Sequence, residues 1–241
     1  MSKYYEKIIK EKCEFEECYW GIVTDPDGKV RNLQEEEEKF LANVKKEVRF
    51  INSLPPSKVL DVGCGLGFLL GALEGKHEKY GLEVSSYAAD CAKKYAQIYN
   101  KPLEELGIEE NSFDVVISHH VIEHVDSPES FLGEIKKILR PDGLLVISTP
   151  DFKSVCAKLF KERYRMLFDK THVNLFSFQS LKDMLTDFGF EILEVDFPYF
   201  DTEYFTEKNV LKMLDYDKTD SSELSPACWG NFMTFYCKNV K

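Results

Sequence analysis

The chain has 241 residues, 44% hydrophobic and 30% charged, which suits one full α/β domain with some decoration. Its formal net charge is −11 and no run of Lys and Arg exceeds two, which speaks against binding nucleic acid through a phosphate-neutralising tract. No stretch approaches the roughly 18 apolar residues of a membrane span. The seven cysteines form no C-x-x-C pair and the charged start MSKYYEKIIKEK lacks the pattern of a secretory leader, so reduced thiols in the cytoplasm are expected.

In chain order, residues 1–54 read as an N-terminal helical cap or lid and 55–241 as the main domain. Within the cap, Phe40, Leu41, Val44, Val48, Ile51 and Leu54 recur at helical spacing, and the prolines of SLPPS stop the helix. From Lys58 onward strands and helices alternate. KVLDV is a strand, GFLLGALEG a helix, HEKYGLEV a strand, and SSYAADCAKKYAQ a helix capped by Ser85 or Ser86. QIYN is a short strand and FDVVIS a strand apolar on both faces. A helix then opens at Ser127-Pro128-Glu129, RPDG turns the chain, and LLVIST is the fifth strand. This alternation predicts a doubly wound, Rossmann-like α/β fold with a mostly parallel sheet. Beyond Pro150, DFKSVCAKLFKERYRMLF and SFQSLKDMLTDFGF read as helices. The strands EILEVDF and NFMTFYCKN then follow without a helical crossover, which predicts antiparallel pairing at one end of the sheet.

The informative stretch is VLDVGCGLG, residues 59–67, with Gly63, Gly65 and Gly67 directly after a strand. Three glycines in five residues weaken either regular structure, so the backbone there must meet something closely. Ligands bind at the carboxyl ends of strands in open parallel sheets. The dinucleotide fingerprint G-x-G-x-x-G does not fit, because the third glycine comes one position early and Phe68 stands in its place. Asp61 just before the loop would also repel a pyrophosphate, whereas it suits an amino group or a sulfonium. Glu83 ends the second strand, 22 residues after Asp61, where a carboxylate grips ribose hydroxyls. A ligand with a ribose and a cationic amino-acid tail is S-adenosylmethionine.

With these residues the chain resembles the seven-strand (class I) S-adenosylmethionine-dependent methyltransferases, in particular the small-molecule branch related to ubiquinone-biosynthesis O-methyltransferases. VLDVGCGLG, YGLEVS, SFDVVISHHVIEHVDSP, LRPDGLLVISTP and THVNLFSFQSLKDMLTDFGFEILEV carry the resemblance in consistent order over about residues 55–197. It implies a seven-stranded sheet with an antiparallel last strand. The glycine loop and Asp61 would serve the methionine moiety and Glu83 the ribose. Leu103 would flank the adenine, and backbone at Ser118 and His119 would line the methionine side. The usual "GDA"-like adenine segment is replaced by NKPLEEL, which leaves adenine to Glu104 or to backbone groups.

Methyl transfer asks the protein for positioning, exclusion of water and, for a hydroxyl acceptor, a base. His120, Glu123 and His124 stand at i, i+3 and i+4 and would share a face if helical, with His124 or His120 as the base. Related enzymes carry a metal-binding Glu-x-x-Glu-His here; His120 in place of the first acid keeps ligand capability. The competing reading makes Glu123 and His124 loop anchors, and His172 reads either as a lining of the acceptor pocket or as a cap or packing residue before the helix at Ser177. The expected reaction is methyl transfer to an oxygen or nitrogen of a small-molecule acceptor. The alternatives are a protein or RNA methyltransferase and a noncatalytic S-adenosylmethionine-binding protein. Tyr4, Tyr5, Tyr19 and Trp20 are candidates for a lid over the ligand.

Overall fold

In the computed structural model, residues 2–7, 20–24, 30–154, 157–158, 165–168, 171–198 and 232–240 are described below. Part of the expected helix across 151–168 lies outside them, as do Tyr19 and the acidic connection before the last strand.

The N-terminal part supplies three short strands, β1 (Glu6–Lys7), β2 (Ile22–Thr24) and β3 (Val30–Asn32). Two helices follow, α1 (Glu37–Asn43) and α2 (Lys45–Asn52). The single expected helix is thus broken at Val44, where φ −95° and ψ 15° leave helical geometry. The alternating series is β4 (Lys58–Val62), α3 (Phe68–Ala72), β5 (Glu78–Leu82), α4 (Ser86–Ala92) and β6 (Gln97–Tyr99). It continues with β7 (Phe113–His119), α5 (Pro128–Ile138) and β8 (Leu139–Pro150). The last elements are α6 (Arg165–Phe168), β9 (Asn174–Leu175), α7 (Phe178–Asp187), β10 (Phe190–Asp196) and β11 (Phe232–Asn239).

Local chemistry explains the starts. Ser85, Ser127 and Ser177 each accept the backbone N–H three residues on, and Pro128 takes the first turn of α5, where its missing donor costs nothing. The RPDG turn survives as an outward loop inside β8. Phe113 pairs with Leu139 and Val115 already with Leu144, with Asp142 at φ +64°.

The seven-stranded sheet runs β10-β11-β8-β7-β4-β5-β6. Pairs among β6, β5, β4, β7 and β8 are parallel, and β11 lies antiparallel between β8 and β10. The antiparallel strand is therefore the last in sequence but not the outermost; β10 forms the edge. Strand order reverses between β4 and β7, the switch point where the carboxyl ends splay and leave a crevice.

Alternate strand residues feed two cores. Leu60, Val116, Ile147 and Phe235 meet Leu132 and Ile135 of α5 and Leu181 and Met184 of α7. On the other face Val59, Val115 and Ile117 meet Val44, Ile51, Leu69 and Leu70. Val44 and Ile51 are fully buried, so α1 and α2 pack as part of the second core although they precede residue 54. Full burial of Ile51 contributes about 1.5–3 kcal/mol.

One buried acid on α2 stands apart from the crevice. Glu47 is fully buried, accepts the Thr234 hydroxyl at 3.2 Å on Oε1, and has no partner for Oε2. Burial raises its carboxyl above the usual range against the opposing help of its own backbone and Thr234. A raised pKa in the fold means stability present at acid pH and lost as pH climbs through that value. Glu47→Gln is expected to raise the melting temperature at pH 8 and to have little effect near pH 5; thermal melts at the two pH values check this, and a lower Tm at pH 8 would contradict it.

Candidate active site

The crevice holds a cavity of ≈ 960 Å³ at the carboxyl ends of β4, β5 and β7, roofed by N-terminal residues. Its floor begins with the glycine loop. Gly63, Gly65 and Gly67 have φ of +75°, +52° and +80°, the left-handed region where a Cβ is penalised. They serve different purposes. A Cβ on Gly65 would stand 2.6 Å from Trp20, inside the cavity roof, whereas one on Gly67 would strike Ala92 at 2.8 Å. Gly63, Gly65, Asp61, Glu83, Leu103, His119, His120 and His124 line the cavity. Gly67 instead lets α3 close on α4. Ser118 does not line the cavity either; it is fully buried one residue before His119.

Asp61 and Glu83 are both 3% exposed, yet their surroundings differ. Glu83 accepts the Gly65 N–H at 2.9 Å on Oε2 and the Ser85 N–H at 2.8 Å on Oε1. Asp61 has a fully buried Oδ1 with no hydrogen-bond partner. Burial first, and then the Glu83 charge, push the Asp61 carboxyl up to about 7. Burial also raises Glu83, and the backbone donors oppose it. Two acids in one cavity, one with an orphaned oxygen, make a socket for a positive group and reject a pyrophosphate. The residues therefore fit a cationic ligand with vicinal hydroxyls. Leu103 opens the 3-10 turn Leu103–Glu105, and Pro102, Leu103 and Glu104 all line the cavity where NKPLEEL was expected to flank the adenine.

The second cluster follows β7. His120, Glu123 and His124 are not on an α-helix; they occupy a tight turn closed by the His124 N–H to the Val121 carbonyl at 2.8 Å. His120 itself takes φ +58°, rare for a residue with a Cβ and a frequent mark of functional sites. The turn still gathers the side chains. Glu123 is fully buried and accepts the His120 Nδ1–H at 3.1 Å and the Thr149 hydroxyl at 2.9 Å. Burial alone would raise Glu123, but the His120 hydrogen bond and the fields of His124, His120 and His172 hold it down at about 2. His119 is pushed well below its usual range by burial and by His120.

His172 belongs to this cluster. Its Nε2 is 4.0 Å from Glu123 Oε1, its ring centroid is 4.7 Å from that of His124, and its Nδ1–H donates to the Met166 carbonyl at 2.5 Å. The Val173 and Asn174 N–H groups bond the Glu123 carbonyl, which fixes the segment. Ligand atoms of Glu123, His124 and His172 lie within 4.8 Å of one another and could hold a metal ion. His172 also lines the cavity, and sequence reading missed Thr149 and the approach of His172 to Glu123; a hydroxyl residue at the end of the buried strand LLVIST was the available signal for Thr149. It also missed Arg31, Lys39, Phe40 and Phe232 in the cavity wall.

A family model for a methyltransferase domain matches residues 33–195. A ubiquinone biosynthesis O-methyltransferase of Bradyrhizobium sp. (strain ORS 278) is 29% identical over 162 residues, covering 58% of this chain and 60% of the relative. A tRNA U34 carboxymethyltransferase of Hahella chejuensis (strain KCTC 2396) is 37% identical over 117 residues, 43% of this chain and 36% of the relative. The chain thus spans at most 60% of the length of these two relatives. Among solved structures, a SAM-dependent methyltransferase of Thermotoga maritima, a possible histamine N-methyltransferase, aligns with TM-score 0.59 at 22% identity. That alignment covers 86% of this chain and 95% of the other, and at such identity it shows the shared fold. Sheet order, the glycine loop at the switch point and the matched family model agree: the chain belongs to the methyltransferase-domain family.

Proposed function

We propose that the protein transfers a methyl group from S-adenosylmethionine to an oxygen or nitrogen of a small-molecule acceptor. The observation that carries this reading is the Asp61 Oδ1, buried without a partner beneath the glycine loop and beside Glu83. Asp61 faces the ligand's ammonium, Glu83 accepts from ribose hydroxyls, and Val84, Pro102 and Leu103 flank the adenine. The ligand, when bound, supplies an activated methyl on a positively charged sulfur. The chain orients it by the two acids and excludes water with the Trp20 and Phe40 roof.

On the acceptor side His120 and His124 are the bases. Glu123, held by Thr149, fixes the proton of His120 on Nδ1 and leaves Nε2 as the basic nitrogen. A metal on Glu123, His124 and His172 is the second reading, and it would lower the pKa of an acceptor hydroxyl. Homologue names favour a small acceptor, while one relative named for tRNA keeps RNA in view; the charge of −11 counts against it. Among the described residues no helix is long and apolar enough to cross a membrane, and Cys64, Cys91 and Cys237 are free thiols, which suits the cytoplasm.

Calorimetric titration tests the donor. S-adenosylmethionine and S-adenosylhomocysteine are expected to bind and NAD not to. Glu83→Ala should weaken both by about 1.5–3 kcal/mol, the scale of hydrogen bonds to a charged acceptor. Unchanged affinity in that variant would remove the ribose assignment, and tight NAD binding alone would overturn the whole reading.

Trp20 and Arg31 of the cavity wall precede Leu33, where the family model begins. Deleting residues 1–33 is expected to leave a cooperative thermal transition, because Val44 and Ile51 stay in place, while turnover drops as Trp20 and Arg31 leave the cavity roof. A truncated chain that melts without cooperativity would show the segment to be core.

A further inference from the structure

We propose that ligand binding in this cavity is proton-linked: Asp61 carries a proton in the ligand-free protein and releases it when the ammonium group of the cofactor arrives. This rests on the reading of the cavity as an S-adenosylmethionine site.

The geometry separates the two acids. Glu83 has a backbone N–H on each oxygen, and such donors favour the charged form. Asp61 has a buried oxygen with none, and among the described residues it makes no ion pair. An ionised Asp61 would thus face both desolvation and the nearby Glu83 charge, with nothing of opposite sign at hand. The direction of its shift, to about 7, agrees with that reading.

The other charged or titratable groups around the cavity do not change the balance. Cys64 in the glycine loop is pushed up by burial and stays a neutral thiol. His119 at the end of β7 is pushed down and stays neutral, and His120 donates its Nδ1–H to the Glu123 carboxylate. From the roof, Arg31 is held by Glu36 at 2.5 Å and Lys39 lies 4.0 Å from the same carboxylate. Glu104 at the adenine end is exposed and adds no positive charge.

The step balances without any change at carbon. A neutral carboxyl and a ligand ammonium become a carboxylate–ammonium pair, and one proton goes to solvent. Apparent affinity should therefore fall about tenfold per pH unit once the pH is below the titration of Asp61, and level off above it. S-adenosylhomocysteine has the same ammonium and is not a methyl donor, so it reports the linkage without turnover. Methylthioadenosine keeps the adenosine and the thioether but has no ammonium, so it should bind without releasing a proton.

The test is calorimetry of wild-type protein with S-adenosylhomocysteine, in pairs of buffers that differ in ionisation enthalpy. About one proton released per ligand near pH 6, and close to none near pH 8.5, is the expected result. Asp61→Asn should bind more weakly at high pH, with no release at any pH. Binding of S-adenosylhomocysteine without proton release near pH 6 overturns the linkage and leaves the donor reading standing. Release that persists in Asp61→Asn, or that methylthioadenosine also produces, overturns it as well. No binding of S-adenosylhomocysteine at any pH removes the site and the linkage together. Should Asp61→Asn bind too weakly to titrate, infrared difference spectra of the wild type decide. Adding S-adenosylhomocysteine near pH 6 should erase the C=O stretch of one protonated carboxyl, and an unchanged carboxyl region would overturn the proposal.

Discussion

Gly65→Val is expected to abolish binding of S-adenosylmethionine while the protein still unfolds in one cooperative transition. Gly65 sits at φ +52°, where a β-branched residue is strained by roughly 1–3 kcal/mol. Its Cβ would lie 2.6 Å from Trp20 Cη2 and 2.8 Å from Cζ3, and a rigid indole cannot yield by rotating one bond. The valine methyls would project into the cavity where the ligand must meet the backbone, and the Gly65 N–H that orients Glu83 would shift with the loop. Gly65→Ala should show the same loss in milder form. Calorimetry with S-adenosylhomocysteine and a thermal melt check both halves of the expectation. A valine variant that binds within about threefold of wild type would show that the loop is not the ligand's cradle.

The second large effect belongs to the histidine turn. His120→Ala and His124→Ala are each expected to slow turnover by about 10²–10⁴-fold with little change in cofactor affinity, the range for losing acid–base help. In the His120 variant, Glu123 would also lose the hydrogen bond that holds its carboxyl down, although Thr149 would remain. Single-turnover rates with a hydroxyl acceptor, measured with and without chelator, separate the two readings of the cluster. A base leaves the wild-type rate insensitive to chelator. A metal on Glu123, His124 and His172 makes the rate fall and then recover with added Mg²⁺ or Zn²⁺, and His172→Ala should copy that loss. If neither alanine variant at 120 or 124 slows turnover by more than about tenfold, the acceptor is nucleophilic unaided and the histidines only anchor the turn.

What sequence alone determined was whatever depends on neighbours along the chain. The strand–helix alternation, the serine caps and the apolar runs of β7 and β8 are set by local geometry and burial, and they predicted the doubly wound sheet. The departure from G-x-G-x-x-G, with Asp61 before the loop and Glu83 at the next strand end, pointed to a cationic ligand because the two acids and the glycines are confined to two consecutive strand ends. Tertiary structure decided what depends on residues distant in sequence. Nothing local shows that α1 and α2 pack beneath the sheet, since an amphipathic helix fits a lid as well as a core. Nothing local separates Gly65, which faces the ligand space and Trp20, from Gly67, which faces Ala92. The helical spacing of His120, Glu123 and His124 suggested a shared face, yet a positive φ and a turn gather them instead. His172 reaches Glu123 across 49 residues of chain only because the Glu123 carbonyl accepts the N–H groups of Val173 and Asn174. The imbalance between Asp61 and Glu83 was also hidden, because it is set by which backbone N–H groups the folded loop turns toward each carboxylate.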